Sequence, residues 1–263
     1  MGRVVAIVNQ KGGVGKTTTA VSLAAALAIA ERPTLLVDSD PQANSTRAIG
    51  FGEEPNRPTL YEALCGEADL EQLMLTPESL PHLKLVPSDR NLVGAEVELV
   101  DQEQREFRLR HCLDPIRDAF DHTLIDCPPS LGLITVNALA AADGVVIPVQ
   151  CEYLALEGIS QLMDTIERVR AALNPTLEID GILMTMYDER TNLARQVVDE
   201  VRGVFGNRVY QTVIPRNIRL GEAPSHGQPI FLYDIRSKGA VSYLSLAKEF
   251  VSDEKKGIGQ GAS

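Results

Sequence analysis

No tryptophan occurs in these 263 residues, and aromatic residues make up only 5% of them. An RNA-recognition platform needs stacking aromatics in a recurring pattern, and no such pattern is present. The four cysteines, Cys65, Cys112, Cys127 and Cys151, contain no CxxC pair. None of His82, His111, His122 and His226 stands at zinc-finger spacing from them, so reduced structural thiols are expected. Apolar runs are short and interrupted by charge, which excludes a bilayer-spanning helix. The chain opens on a strand-like run, Arg3 to Val8, without a secretory leader pattern, and a cytoplasmic location is expected.

Positive charge is also scarce, with a formal net charge of −11. Its distribution is uneven. Residues 52–126 carry a net −10, whereas residues 187–250 carry nine basic residues and a net +2. An anionic partner responds to the local field, so the total does not exclude nucleic acid.

What the chain has is alternation. Short β-branched runs recur at Val4–Val8, Thr34–Val37, Leu83–Val86, Thr123–Ile125, Val145–Val149, Ile182–Met186 and Val209–Ile214. They are apolar on both faces, as strands buried in a parallel sheet must be. Between them lie segments of helical period, including Thr18–Ala30, Arg105–Phe120, Leu156–Leu173, Leu193–Phe205 and Ala240–Phe250. This order predicts an α/β fold, a doubly wound and mainly parallel sheet with helices on both faces. No linker divides it. A single domain over 1–251 is expected, followed by a disordered tail, 252–263, rich in Gly, Lys, Glu and Ser.

Between the first strand and first helix runs Lys11-Gly12-Gly13-Val14-Gly15-Lys16-Thr17-Thr18. Three glycines in four positions let the backbone turn its N–H groups onto an anion, and the following helix adds its positive end. Lys16 supplies a charge for the β- and γ-phosphates of a nucleoside triphosphate, and the Thr17 hydroxyl can ligate Mg²⁺. A dinucleotide turn has no use for Lys16 and Thr17. The loop departs from GxxxxGK[ST] in one place: Gln10 stands where the first glycine should, followed by a second lysine, Lys11.

Carboxylates follow at strand tips. Asp38 and Asp40, in Asp38-Ser39-Asp40-Pro41-Gln42-Ala43-Asn44, end the second strand where ligands bind in open α/β sheets. Asp126 ends the run His122–Ile125 and precedes Cys127-Pro128-Pro129-Ser130-Leu131-Gly132. In a P-loop protein an acid so placed meets Mg²⁺ through water. Asp38 is a further candidate for the metal.

The loop with its early lysine resembles the deviant Walker A box of the ParA/MinD family of P-loop ATPases. The Asp38–Asn44 stretch is similar to switch I of Soj-type members, and Pro128–Gly132 to switch II. Val149–Gly158, Thr185–Asn192 and Ile214–Gly227 continue the likeness, which spans about residues 3–250. The resemblance implies an Mg²⁺-dependent ATPase that forms a homodimer around ATP. In it Lys11 reaches the partner subunit's phosphates, Asp40 positions the attacking water, and Glu152 contacts the opposite subunit or its nucleotide. It places adenine near Asp188, Pro215 and Asn217. It assigns contacts with double-stranded DNA, without sequence preference, to Arg190 and Arg219, with Arg195, Arg216, Arg236 and Lys238 as helpers. A ParB-like partner would stimulate hydrolysis and release the protein from the nucleoid.

Four other readings share parts of this pattern. A membrane-bound MinD-like protein needs an amphipathic C-terminal helix, and residues 252–260 offer one isoleucine and two glycines. An electron donor of the nitrogenase-reductase kind needs paired cluster cysteines. A small-molecule ligase of the dethiobiotin synthetase kind, or a positioning ATPase for chemoreceptors or carboxysomes, would share the loop and differ in partner.

Overall fold

A computed structural model describes residues 2–260, with side chains described through Ser252. Six strands, β1 (Arg3–Ile7), β2 (Thr34–Asp38), β3 (Leu83–Val86), β4 (His122–Asp126), β5 (Gly144–Gln150) and β6 (Glu178–Thr185), form one sheet. Its order is β3-β2-β4-β1-β5-β6, and every neighbouring pair is parallel. The order reverses around β1, which has β4 on one side and β5 on the other. Ligand crevices of open α/β sheets lie at such a point, beyond the carboxyl ends of the strands.

The helices are α1 (Lys16–Ile29), α2 (Asn44–Ala48), α3 (Leu60–Cys65), α4 (Leu70–Leu73), α5 (Leu92–Glu98), α6 (Arg108–Leu113) and α7 (Leu133–Ala141). They continue with α8 (Ala155–Ala172), α9 (Asn192–Phe205), α10 (Ile218–Glu222), α11 (Ile230–Tyr233) and α12 (Lys238–Gln260). Strand side chains alternate between two cores. Val4, Ala6, Leu35 and Val37 meet the layer containing α7, α8 and α9, while Val5, Ile7 and Leu36 meet α1 and α12. The alanine-rich α1 is buried along most of its length, where small side chains let it lie close to the sheet. Tyr243 of α12 reaches it through a buried hydroxyl contact with Thr19, 3.1 Å long.

Three expectations are corrected or refined. Val209–Ile214 is not a strand. It touches the sheet through an isolated bridge between Val209 and Ile182 and through N–H groups of Tyr210 and Ile214 that donate to the Ile182 and Met184 carbonyls, while the Gln211 and Thr212 N–H groups donate to the Glu249 carboxylate. The helix expected over Arg105–Phe120 is α6 flanked by 3₁₀ turns, Arg105–Phe107 and Asp114–Ala119. Pro115 lacks the N–H that a continuous helix would require there. The backbone of α12 runs to Gln260, into the segment expected to be disordered, and residues 261–263 of that segment lie outside the described residues.

One backbone contact fixes the position of α2. Gly50, just beyond it, has φ 100°, and a Cβ there would lie 2.9 Å from the Gly227 carbonyl oxygen. Gly227, at φ 62°, closes the turn Ala223–His226 against it. Gly50→Ala should therefore destabilise the fold by roughly 1–3 kcal/mol. Urea unfolding measures this, and an unchanged midpoint would contradict the close approach.

Candidate active site

The loop after β1 is built from residues that cannot be exchanged freely. Gly13 and Gly15 have φ of 76° and 91°, in the left-handed region that side chains disfavour. Gly15 is the N-cap of α1, so the first N–H groups of that helix open onto the loop. Outside the loop, Asn9 braces it by donating to the Pro148 carbonyl at 2.7 Å and accepting from the Lys11 N–H at 2.9 Å. The Thr185 hydroxyl donates to the Val14 carbonyl at 2.8 Å. Neither β5 nor β6 carries a reacting group here; their ends hold the loop in shape.

Lys16 is buried, and its Nζ donates to the Lys11 carbonyl at 3.1 Å. Burial pushes its pKa down, while Asp126, Cys127 and Asp40 push it back up. Asp38 and Asp126 are opposite one another in the β2–β4 register, and both are fully buried. Burial raises both carboxyls above the ordinary carboxylate range, and the charge of Asp126 raises Asp38 further. Hydroxyls oppose this shift. Ser45 donates to Asp126 Oδ2 at 2.8 Å, and Thr17 also favours the ionised Asp126. Thr46 gives both its N–H and its hydroxyl to Asp38 Oδ2, each at 2.7 Å.

Asp40 is buried on the turn between them, where its Oδ1 accepts from the Gln42 N–H at 2.9 Å. Lys16, Asp40 and Asp126 thus lie close enough for both carboxyls to act on the lysine. Sequence reasoning did not single out Ser45, Thr46 or Thr185. Only the first two leave a sequence trace, a Ser-Thr pair directly after the Asp38–Asn44 stretch.

The two lysines of the loop divide. Lys16 points inward, whereas Lys11 is about half exposed and forms an ion pair with Glu152 of its own subunit. Tyr153 and Leu154, next to Glu152, are exposed too, at 85% and 59%.

The residues expected around adenine and DNA lie together beyond β6. Pro215 bridges Tyr187, Met186 holds φ 51°, and Asn217 caps α10 by accepting from the Arg219 N–H at 2.9 Å. Asp188 is gripped by Arg190 through two contacts, 2.9 and 2.7 Å, which hold its carboxyl below the usual range. Arg190, Arg216, Arg236 and Lys238 line one depression with Tyr187 and Pro215. Arg195 joins them by donating to the Glu189 carbonyl, and Lys238 lies 3.3 Å from the Glu189 carboxylate. Arg219 continues the patch, paired with Glu222 at 2.9 Å and 3.5 Å from Asp234.

The residues fit Mg²⁺ bound with a triphosphate. Asp126 Oδ1 is buried without a hydrogen-bond partner among the described residues, and the Thr17 hydroxyl is beside it. Among the described residues no cluster of three or more His, Cys, Asp or Glu could hold a metal by itself. That suits an ion whose remaining ligands are water and phosphate. Asp38 has its Oδ1 engaged by the Asp40 N–H at 3.2 Å and its Oδ2 by Thr46, which leaves it less able to ligate.

A phosphate-sized loop at the head of α1, closed by a buried lysine and faced by strand-tip carboxylates, makes this a P-loop ATPase. A family model described as an AAA domain matches residues 2–179. The chain belongs to the ParA/Soj family of chromosome-partitioning ATPases. The chromosome partitioning protein ParA of Myxococcus xanthus is 57% identical over 95% of this chain and 88% of its own. Sporulation initiation inhibitor protein Soj of Bacillus subtilis is 52% identical over 96% of this chain and 100% of its own. Among solved structures, cobyrinic acid a,c-diamide synthase from Mycobacterium smegmatis with bound ADP and magnesium aligns with a TM-score of 0.86. Its identity is 36%, over 98% of this chain and 97% of that one. The cell division ATPase MinD of Pyrococcus furiosus aligns at 0.77, with 27% identity over 96% and 99%. The M. smegmatis protein is also seen with an ATP analogue and magnesium.

Lys16→Ala should lose ATP binding by at least tenfold, because it removes the buried charge that faces the phosphates. Calorimetry measures this, and parental affinity in the variant would contradict the assignment of the loop.

Proposed function

We propose that this ATPase is a nucleotide-switched DNA-partitioning protein. ATP with Mg²⁺ occupies the loop, two subunits close over two nucleotides, and the pair binds DNA without sequence preference at the nucleoid. A ParB-like partner at a centromere-like site stimulates hydrolysis, and loss of the γ-phosphate opens the dimer.

The observation that carries this reading is the separation of the two lysines. Lys16 serves the phosphates from within, and Lys11 stands half exposed at the mouth of the same loop, paired with the surface carboxylate of Glu152. Exposed ion pairs are worth about 0–1 kcal/mol, so Lys11 exchanges Glu152 for a partner subunit's phosphate at little cost. A cation supplied in trans makes the dimer depend on the γ-phosphate and offsets negative charge in the transition state. Asp40 orients the attacking water from the turn after β2. When bound, Mg²⁺ offsets charge on the β- and γ-phosphates.

The basic patch beyond β6 supports the DNA reading. Arg190 and Arg219 are paired with surface acids, and backbone phosphates compete for them. Two copies of the patch on one dimer strengthen binding without any new contact. Among the described residues no helix is long and apolar enough to cross a membrane.

A second reading has one observation in its favour, the 36% identity to a structure named as a cobyrinic acid a,c-diamide synthase. A ligase would turn over only with its small-molecule substrate and would ignore DNA. The two readings separate cleanly on DNA retention.

Arg190→Ala combined with Arg219→Ala should reduce DNA binding in the presence of ATP by at least tenfold and lower its salt dependence, while ATP affinity is kept. Gel retardation at two salt concentrations measures this. A double variant that shifts DNA like the parent would place the interface elsewhere. Asp40→Ala should bind ATP normally and release phosphate about a hundredfold more slowly. Single-turnover phosphate release at the parental rate would remove Asp40 from the reaction.

A further inference from the structure

Two hydroxyls bear on the carboxyl of Asp126: that of Thr17, in the phosphate loop, and that of Ser45, from a separate element. Ser45 Oγ, on α2, donates to Asp126 Oδ2 at 2.8 Å across 81 residues of sequence. The other oxygen, Oδ1, is buried and has no hydrogen-bond partner among the described residues. Ser45 spends its hydroxyl donor on the strand tip that faces Mg²⁺.

The neighbouring residue does the same for the other strand. Thr46 binds Asp38 Oδ2 through both N–H and hydroxyl, and the same hydroxyl accepts from the Ser88 N–H at 3.1 Å. The five residues of α2 therefore straddle the tips of β2 and β4. The helix begins directly after the turn that carries Asp40, with Ala43 as its cap at φ 52°.

We propose that Ser45 is a positioning residue for the metal: by fixing Oδ2 of Asp126 it aims Oδ1 at the hydration shell of Mg²⁺. Without that bond the carboxyl can rotate about its last torsion, and the metal meets an oxygen that is not held in place. Groups that orient a metal's own partners typically matter ten- to a hundredfold in metal affinity. Because Ser45 and Asp40 belong to one continuous segment, the same bond ties the water-positioning turn to the metal.

The test is the Mg²⁺ dependence of ATP binding by the full-length protein, read by calorimetry at graded Mg²⁺ and again in excess EDTA. Ser45→Ala should raise the Mg²⁺ concentration at half-effect about tenfold and leave the affinity in EDTA unchanged. Ser45→Cys, with a weaker donor on nearly the same shape, should fall between Ser45→Ala and the parent. A residue that only packs α2 would lower the melting temperature without moving the Mg²⁺ midpoint, and that outcome overturns the proposal. So does an equal loss in EDTA, which would place Ser45 with the nucleotide instead of the metal. Should Ser45→Ala fail to fold, the Cys variant alone decides: a shifted midpoint supports the assignment and a parental one refutes it.

Discussion

Two carboxyl groups without solvent exposure, Asp38 and Asp126, end neighbouring strands side by side, and the rest of the site is arranged around that fact. Burying one ionised carboxylate costs on the order of several kcal/mol after relaxation, and a second beside it adds repulsion. Both groups accordingly have raised pKa values in the folded chain. The sign is clear: the stability that their protonated forms give is complete below the ordinary carboxylate pKa. It is lost as pH rises through the raised values. A fold that keeps such a pair at neutral pH must supply donors and positive charge. Ser45, Thr46 and Thr17 supply the donors, and Lys16 supplies one charge.

That constraint explains why the surrounding elements cannot drift. The short α2 is held to the carboxylates by its own hydroxyls and to the turn at Ala223–His226 by the meeting of Gly50 and Gly227. The same turn follows α10, which carries Arg219. The buried carboxylates and the proposed DNA patch are therefore joined through two short segments in contact.

The fold was legible because its signals are local. The both-faces-apolar strands, the helix-period segments between them and the Gly-Lys-Thr loop depend on near neighbours in sequence. So did the meeting of Lys16, Asp40 and Asp126, because strand tips at the switch point converge whatever lies between them. What escaped was set by distant partners. Nothing near Ser45 announces a bond to Asp126, and nothing near Val209–Ile214 shows that Glu249 takes the N–H groups a strand would have used. The pairing of Lys11 with Glu152 inside one subunit was hidden for the same reason. Pro115, by contrast, was visible, and its cost to a continuous helix over Arg105–Phe120 should have been weighed.

The account as a whole rests on a triphosphate joining two copies of the chain. Sedimentation of the unmodified protein with Mg²⁺ and a non-hydrolysable ATP analogue, compared with ADP, tests it most directly. The expected result is a dimer with the analogue and a monomer with ADP. The same mass in both nucleotides, at concentrations that saturate the loop, would contradict it.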